Sequence, residues 1–448
     1  MPGYASREAV LDILLEQENT GAFLKDLFPR HCDALPSNDR ALAREIALGV
    51  ARNRTLLDWN IDRHAARKPG PGLLRCLLRL SAYQILFMDV PAFAAVNVGV
   101  ELAKRRGGRE KAGFANAVLK KLAAAGLQRV PGNGLKALAT NYSHPLWLVE
   151  RWHRRLGPQG LIRALERNNQ EAPLWLRVNP DRADPAGARE RLAALGADTV
   201  PDGHAPLYLR LAPGSAEKVL RSDLFASGAV AFQDPAAWLV AELAAWLPGT
   251  SLLDLCSAPG GKSACMVERA RWLGQAAPGD RLAAVCNDLS FRRLRRIRDV
   301  RERLGHRDLM PVVMDPSRPA LRARFRCLVV DAPCSNLGVI RRRPEARWSH
   351  GEKDLGRLAA LQKELLAAAA SLAAPGARMI YATCSPEREE AAEVVADFLA
   401  RHPGWTLEDA SAFLPEWAVK EGFLWLHPGE TDYDGFFGAR LAFAGGAA

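Results

Sequence analysis

Beyond about residue 234 the chain alternates short apolar runs with helix-periodic segments, and this alternation constrains the fold more than any other feature. The runs are 251–255, 282–286, 309–314, 327–330 and 378–382. Such a pattern predicts an α/β domain built on a parallel, doubly wound, Rossmann-like sheet. Two terminal runs, 423–427 and 436–442, predict an antiparallel hairpin that closes it. Ligands of such sheets bind beyond the carboxyl ends of the strands, so the residues that follow each run should share one crevice. They are Cys256 to Lys262 after the first run, then Asp288, Asp315, Asp331 and Cys384.

Upstream the period changes. Leu42, Ile46, Val50, Leu57 and Ile61 recur at helical spacing after a start signal in Pro36, Ser37 and Asn38, and the run 73–88 is apolar on nearly all sides, as a central bundle helix would be. Segments 94–104 and 112–122 complete an all-helical domain, predicted over 1–134 with a Gly/Pro boundary at 130–134. Residues 135–236 mix a helix around 146–156 with strand-like runs 174–178 and 207–211, broken by Pro180, Pro185, Pro206 and Pro213. These predict a small α+β connector, leaving 237–448 as the Rossmann-like domain. A length of 448 residues suits about three domains.

No stretch reaches the length of a membrane span and no export signal opens the chain, so the expectation is a cytoplasmic protein without a membrane partner. The eight cysteines lie at 32, 76, 256, 265, 286, 327, 334 and 384, none close enough to another for paired zinc-ligand spacing; no metal is expected. Cys32, Cys76, Cys265, Cys286 and Cys327 read as buried small hydrophobes. The net charge of +11 favours an anionic partner, and residues 280–347, with 17 Arg and no Lys against 8 acids, carry +9 of it.

The loop Cys256-Ser257-Ala258-Pro259-Gly260-Gly261-Lys262, followed by Ser263, has glycines that permit close backbone approach and a helix start that offers N–H donors. A triphosphate-cradling loop would need Gly at 256, where Cys stands, and no GxGxxG dinucleotide pattern is present. Asp288 can accept both ribose hydroxyls and Asp315 an adenine amino group, and both would repel phosphates. The site therefore suits an adenosine that carries a cationic sulfonium, as in S-adenosyl-L-methionine. Any one of these aspartates, taken alone, reads equally as a strand end or helix cap.

Asp331-Ala332-Pro333-Cys334-Ser335 follows one buried strand and Thr383-Cys384-Ser385-Pro386 another, which brings two thiols and a carboxylate to the methyl-donor crevice. Methylation at C5 of a pyrimidine needs such a set. A thiolate adds to C6 and makes C5 nucleophilic, a base later removes the C5 proton, and a carboxylate near N3 stabilises the charge developed during addition.

These residues resemble the Sun-type cytosine-5 RNA methyltransferases, most of all the bacterial 16S ribosomal RNA branch with an N-terminal NusB-like domain. In the catalytic domain the resemblance rests on 253–262, 331–342 with Pro344 and Trp348, 381–387 and 434–437. In the helical domain it rests on Asp39-Arg40, Gly49, Arg52, Tyr83-Gln84, Pro91, Ala95-Val96 and 114–119. It implies that Cys384 is the nucleophile, that Cys334 assists product release, and that Asp331 lies between the methionine moiety and the target base. It further implies that the 256–262 loop, Asp288 and Asp315 hold adenosylmethionine, and that the substrate is small-subunit ribosomal RNA. The sequence leaves the oligomeric state open, with a monomer favoured. Departures are Ser257 for Ala, Ser263 for Thr, Ala382 for Ser, and Asn336-Leu337 after the Cys-Ser pair, where Asn tolerates left-handed geometry.

Arg292, Arg293, Arg295, Arg296, Arg298, Arg301 and Arg303 line one segment that reads equally as a solvated helix face or an RNA contact. Arg341, Arg342, Arg343 and Arg347, with Trp348, follow the Cys334 loop and are expected to hold RNA phosphates and stack a base. The rival readings are methylation of another RNA such as tRNA, a DNA cytosine methyltransferase, which would use the thiol after Asp331 as nucleophile, and a non-catalytic RNA-binding assembly factor.

Overall fold

Periodic apolar positions in the N-terminal third form helices and the short apolar runs form strands in a computed structural model that describes residues 3–247, 249–276 and 283–445. The chain folds as two units, Met1–Gln170 with Ile340–Glu352, and Glu171–Val339 with Lys353–Ala448.

In the first unit the periodic run from Asp39 becomes two helices, Ser37–Arg52 and Arg54–His64, separated at Asn53. The run 73–88 forms Leu73–Phe87, buried on every side, with Arg75 and Arg79 as well as its apolar residues in the core. The arginines are tolerated there because carboxylates meet them: Arg79 is 2.8 Å from Asp58 and Arg75 is 2.8 Å from Asp62. Gly49 is required at the crossing of Ser37–Arg52 with this helix, since a Cβ would lie 1.9 Å from the Tyr83 ring. Segments 94–104 and 112–122 lie in Ala92–Ala125, broken at Gly108, whose φ of 84° is left-handed.

By contacts the helix Leu146–Asn169 groups with the helical unit. So does 340–352, and here one expectation is corrected, that Arg347 and Trp348 of this segment hold RNA. Arg347 is fully buried and donates to Ser143 O at 2.8 Å, Asn169 Oδ1 at 2.9 Å and Asn168 O at 3.2 Å. Trp348 donates its indole N–H to Ala51 O at 3.0 Å, and the Arg54 guanidinium covers its ring at 5.4 Å. The Arg347 fork is spent on carbonyls and the Trp348 face on a cation, so neither serves a phosphate or a base. Arg341, Arg342 and Arg343 are half-buried.

The second unit contains two sheets. Strands β1 (Leu174–Val178), β2 (Thr199–Pro201), β3 (Tyr208–Leu211) and β4 (Val230–Phe232) form an antiparallel sheet in the order β2-β3-β1-β4. The larger sheet comprises β5 (Leu252–Asp254), β6 (Ala284–Asp288), β7 (Leu309–Val313), β8 (Phe325–Asp331), β9 (Ala373–Thr383), β10 (Trp405–Glu408), β11 (Val419–Lys420), β12 (Phe423–Leu426) and β13 (Phe436–Phe443). Its order is β11-β12-β13-β9-β8-β5-β6-β7, with β10 on β13. Strands β5 to β9 pair in parallel, while β12 and β13 form the expected antiparallel closure against β9. Leu282, counted in the second apolar run, lies outside the described residues.

Both faces of the central strands β5, β8 and β9 are covered, which is why they read as uninterrupted apolar runs, while the edge strand β7 leaves Met310 and Val313 exposed. Leu252, Cys327, Val329, Ile380 and Ala382 enter the core with the helices Ala236–Ala244, Gly261–Trp272 and Phe291–Leu304. Their alternating neighbours Leu253, Leu328, Val330, Met379 and Tyr381 enter the opposite core with Glu352–Ala370 and Ala392–Arg401. The chain runs outward from β5 to β7 and then returns to β8 on the other side of β5. The carboxyl ends of β5 and β8 therefore flank the topological switch point. Among the described residues no helix is long and apolar enough to cross a membrane.

Candidate active site

The 256–262 loop leaves β5 under tight backbone control. Ser257 N donates to Asn287 O at 2.8 Å and Gly260 N to Ser257 O at 2.6 Å. Gly260 has a φ of 94°, and a Cβ there would lie 3.3 Å from Ile297, so only glycine suits the position. The Ala258–Pro259 peptide is cis. Helix Gly261–Trp272 begins directly after, and Ser263 in its first turn donates to Asp254 Oδ2 at 2.5 Å and lies 3.0 Å from Ser257 Oγ. Burial, above all else, raises the Asp254 carboxyl to about 6. The Cys256 thiol is pushed up by burial and then by the carboxylates of Asp254, Asp331 and Asp288. Three strand-end carboxylates thus surround one loop, as a site for a cation requires and a phosphate site does not.

Arg177 of β1 fastens the smaller sheet to this loop. Its guanidinium donates to Gly261 O at 2.9 Å and lies 2.6 Å from Glu268 Oε2, and His306 Nε2 is 2.8 Å from the other Glu268 oxygen. All three side chains are buried.

The predicted aspartates differ in setting. Asp288 is buried at the end of β6, where Oδ1 accepts from Ser290 N at 2.8 Å and from Arg293 at 3.0 Å. Asp315 is exposed, two residues beyond the β7 position paired with Asp288, and Oδ1 accepts from Ser317 N and Oγ at 2.9 and 2.8 Å. Those bonds hold its carboxyl below the ordinary range. Asp331 ends β8 and accepts from Lys262 Nζ at 2.6 Å. Burial opposes the Lys262 charge, yet Asp331, and then Cys384, hold the ammonium above the ordinary lysine range. It also lies 5.1 Å from the Phe436 ring.

Cys334 and Cys384, 50 residues apart in sequence, meet with their sulfurs 3.1 Å apart, and both are free thiols. Asn336 makes the turn between them possible. Its φ of 61° is left-handed, its amide donates to Cys334 O at 2.9 Å, and its Oδ1 accepts from Cys384 Sγ at 3.3 Å. Gly338 lies so close to the second loop that a Cβ would stand 2.8 Å from Cys384 O and 2.1 Å from Gly435 O. The hydrogen bond that Cys334 donates to Cys384, then burial, then the charges of Cys384 and Glu390 keep the Cys334 thiol well above its ordinary range.

Residues missed in the sequence complete the site. Ser335 N and Oγ donate to buried Glu390 at 2.8 and 2.5 Å, Gln362 Nε2 donates to Glu390 at 3.1 Å, and Ser335 Oγ is 3.1 Å from Ser385 Oγ. The repeated Cys-Ser pair, 334–335 and 384–385, was the one available signal. Of the arginine-rich segment, Arg303 is structural, donating to Phe225 O and Val230 O, while Arg292, Arg295 and Arg298 are exposed on helix Phe291–Leu304.

Comparison with known proteins matches this architecture part by part. Residues 4–124 match the NusB family, 144–216 the RsmF/B-like ferredoxin-like domain, and 244–442 the 16S rRNA methyltransferase RsmB/F. The ribosomal RNA small subunit methyltransferase B of Salmonella typhi is 33% identical over 440 residues, 96% of either chain. The chain belongs to the RsmB/F family of 16S rRNA methyltransferases. A further relative, the probable ribosomal RNA small subunit methyltransferase B of Bacillus subtilis (strain 168), is 30% identical over 96% of this chain and 97% of its own. Among solved structures, the RsmB/F chain superposes on the crystal structure of PH0851 with a TM-score of 0.81, 25% identity, and 98% and 99% of the two chains covered. Against NSun6 from Pyrococcus horikoshii with SFG the TM-score is 0.58 at 18% identity, over 67% of this chain and 98% of that one, a likeness of fold.

Proposed function

We propose that the chain transfers a methyl group from S-adenosyl-L-methionine to C5 of a cytosine in small-subunit ribosomal RNA through a covalent Cys384–C6 adduct. The observation that carries this reading is the 3.1 Å approach of two free thiols beside the Lys262–Asp331 pair. Adenosylmethionine supplies an electrophilic methyl on a sulfonium. The 256–262 loop would hold it with backbone N–H groups and the close approach that Gly260 allows, Asp288 would accept the ribose hydroxyls, and Asp315 would offer Oδ2 to an adenine amino group. The carboxylates around Cys256 fit the sulfonium charge.

Cys384 attacks C6 as the thiolate, with the Lys262 ammonium nearby and the Cys334 S–H directed at it. The Lys262 ammonium, oriented by Asp331 where the N3 edge of the base would come, would offset the negative charge that addition creates. Addition moves the Cys384 charge into the ring, which removes the largest influence that keeps Cys334 protonated. Cys334 then loses its proton to solvent and takes the one from methylated C5, and the electrons of the broken C5–H bond expel Cys384 as thiolate. One proton is released per turnover and both sulfurs return to their starting states.

Bisulfite mapping of 16S rRNA incubated with the purified protein and adenosylmethionine tests the assignment. A cytosine newly protected from conversion, absent with Cys384→Ala, is expected; methyl label in another base, or in no RNA, would overturn it.

A further inference from the structure

Glu390 is fully buried, and the donors that meet its carboxylate are the neutral groups of Ser335 and Gln362. A carboxylate in such a place costs stability unless its oxygens are well occupied. Both are. Oε1 accepts from Ser335 N and Gln362 Nε2, and Oε2 accepts from Ser335 Oγ. The same Gln362 amide donates to Pro333 O at 2.9 Å, so the residues on either side of Cys334 are held from one point. Ser335 Oγ also lies 3.1 Å from Ser385 Oγ, the neighbour of Cys384. The Glu390 main-chain carbonyl accepts from Tyr381 OH at 2.7 Å, which anchors the residue beside β9, the strand that ends at Thr383. The carboxylate thereby holds the Cys334 turn directly and reaches the Cys384 turn through the Ser335 hydroxyl.

We propose that Glu390 is a positioning residue for the reaction: its carboxylate fixes the Cys334 and Cys384 turns in mutual register and so sets the sulfur separation that attack and proton removal require. The proposal rests on the covalent reading of the thiol pair. Glu390 never touches the base. A misplacement of the thiols by 1 Å costs about a hundredfold in rate.

Glu390→Gln keeps the size of the side chain but directs an N–H2 at groups that are themselves donors. It should lower kcat about a hundredfold while the KM for RNA and the Kd for adenosylmethionine stay within about twofold. A second reading reports on register directly. Diamide takes two electrons and two protons from a thiol pair to form a disulfide and is itself reduced to the hydrazine, so closure of Cys334–Cys384, followed by peptide mass, measures how often the sulfurs meet. Closure should be about tenfold slower in Glu390→Gln than in the unaltered protein. Ser335→Ala, which deletes one oxygen, should move both readings in the same direction by less, and it decides the matter alone if Glu390→Gln does not fold. An unchanged kcat, or a lost kcat with closure at the original rate, overturns the proposal. If the unaltered protein forms no Cys384 adduct with RNA, the covalent reading fails, and diamide closure still tests the register.

Discussion

The two thiols differ in burial and in partners, and the proposed reaction gives them different steps. Cys384→Ala should abolish both methyl transfer and any covalent complex, because no thiolate remains to attack C6. Cys334→Ala should permit attack and methyl transfer but stall proton removal, so that RNA stays bonded to the protein and migrates as a slowed band on denaturing gels. Adding Cys384→Ala should remove that band, and a band seen with Cys384→Ala alone would reverse the assignments. Asp254 makes a second prediction. Its folded-state carboxyl, raised to about 6, lies above the ordinary value of 3.8, so folding favours the protonated form. Its contribution to stability is present below about pH 4 and lost as pH rises through 6, a change on the order of 3 kcal/mol. Asp254→Asn, whose carbonyl can still accept from Ser263, should flatten the fall in Tm between pH 4 and 7; an unaltered slope would assign it to another group. The residues proposed to carry this chemistry could be picked out because strand ends advertise them: Asp288, Asp331, Cys334 and Cys384 each follow an apolar run. Glu390 and Gln362 could not, since their meaning lies in partners up to 55 residues away, and helical or turn periodicity says nothing of such pairings.

Among the elements, the strands buried on both faces were the readable ones, because uninterrupted apolar runs of four or more residues mark them. Strands β2, β4, β10 and β11, of two to four residues, were not anticipated; they are too short for any alternation to register. The segment 340–352 misled in the opposite sense. Its arginines suggest nucleic acid, yet Arg347 is buried because Ser143, Asn168 and Asn169, from two distant turns, present it with oxygens. The link between the two sheets is open to measurement. Arg177→Met leaves Glu268 buried beside His306 without its main counter-charge, and should cost about 3 to 5 kcal/mol in urea unfolding. Replacing Glu268 by Leu in the same chain should recover part of that loss. Equal stabilities for the single and double variants would mean that the pair is not coupled.

At the scale of the whole molecule, the boundary at 130–134 is not where the chain can be cut cleanly. Removing residues 1–130 takes Ala51 and Arg54 away from Trp348 and strands 340–352 without its packing. That truncation should melt lower than one in which 340–352 is also replaced by a Gly/Ser linker, and equal Tm values would show that the segment does not depend on the helices. The arrangement has a further consequence in time. A polypeptide emerges from the ribosome at about 5 to 20 residues per second, so roughly ten to forty seconds separate residue 170 from residue 352. During that interval the helical unit exists as a nascent body with an unfilled Arg347 slot, while the strands from β1 to β8 are still being made. Its last piece arrives only after the Asp331–Val339 turn has been threaded. Stalled nascent chains ending near residue 200 should therefore lose their helical unit to pulse proteolysis more readily than chains ending near 390. The completion of the N-terminal body is thus scheduled by the synthesis of the Cys334 turn that precedes residue 340.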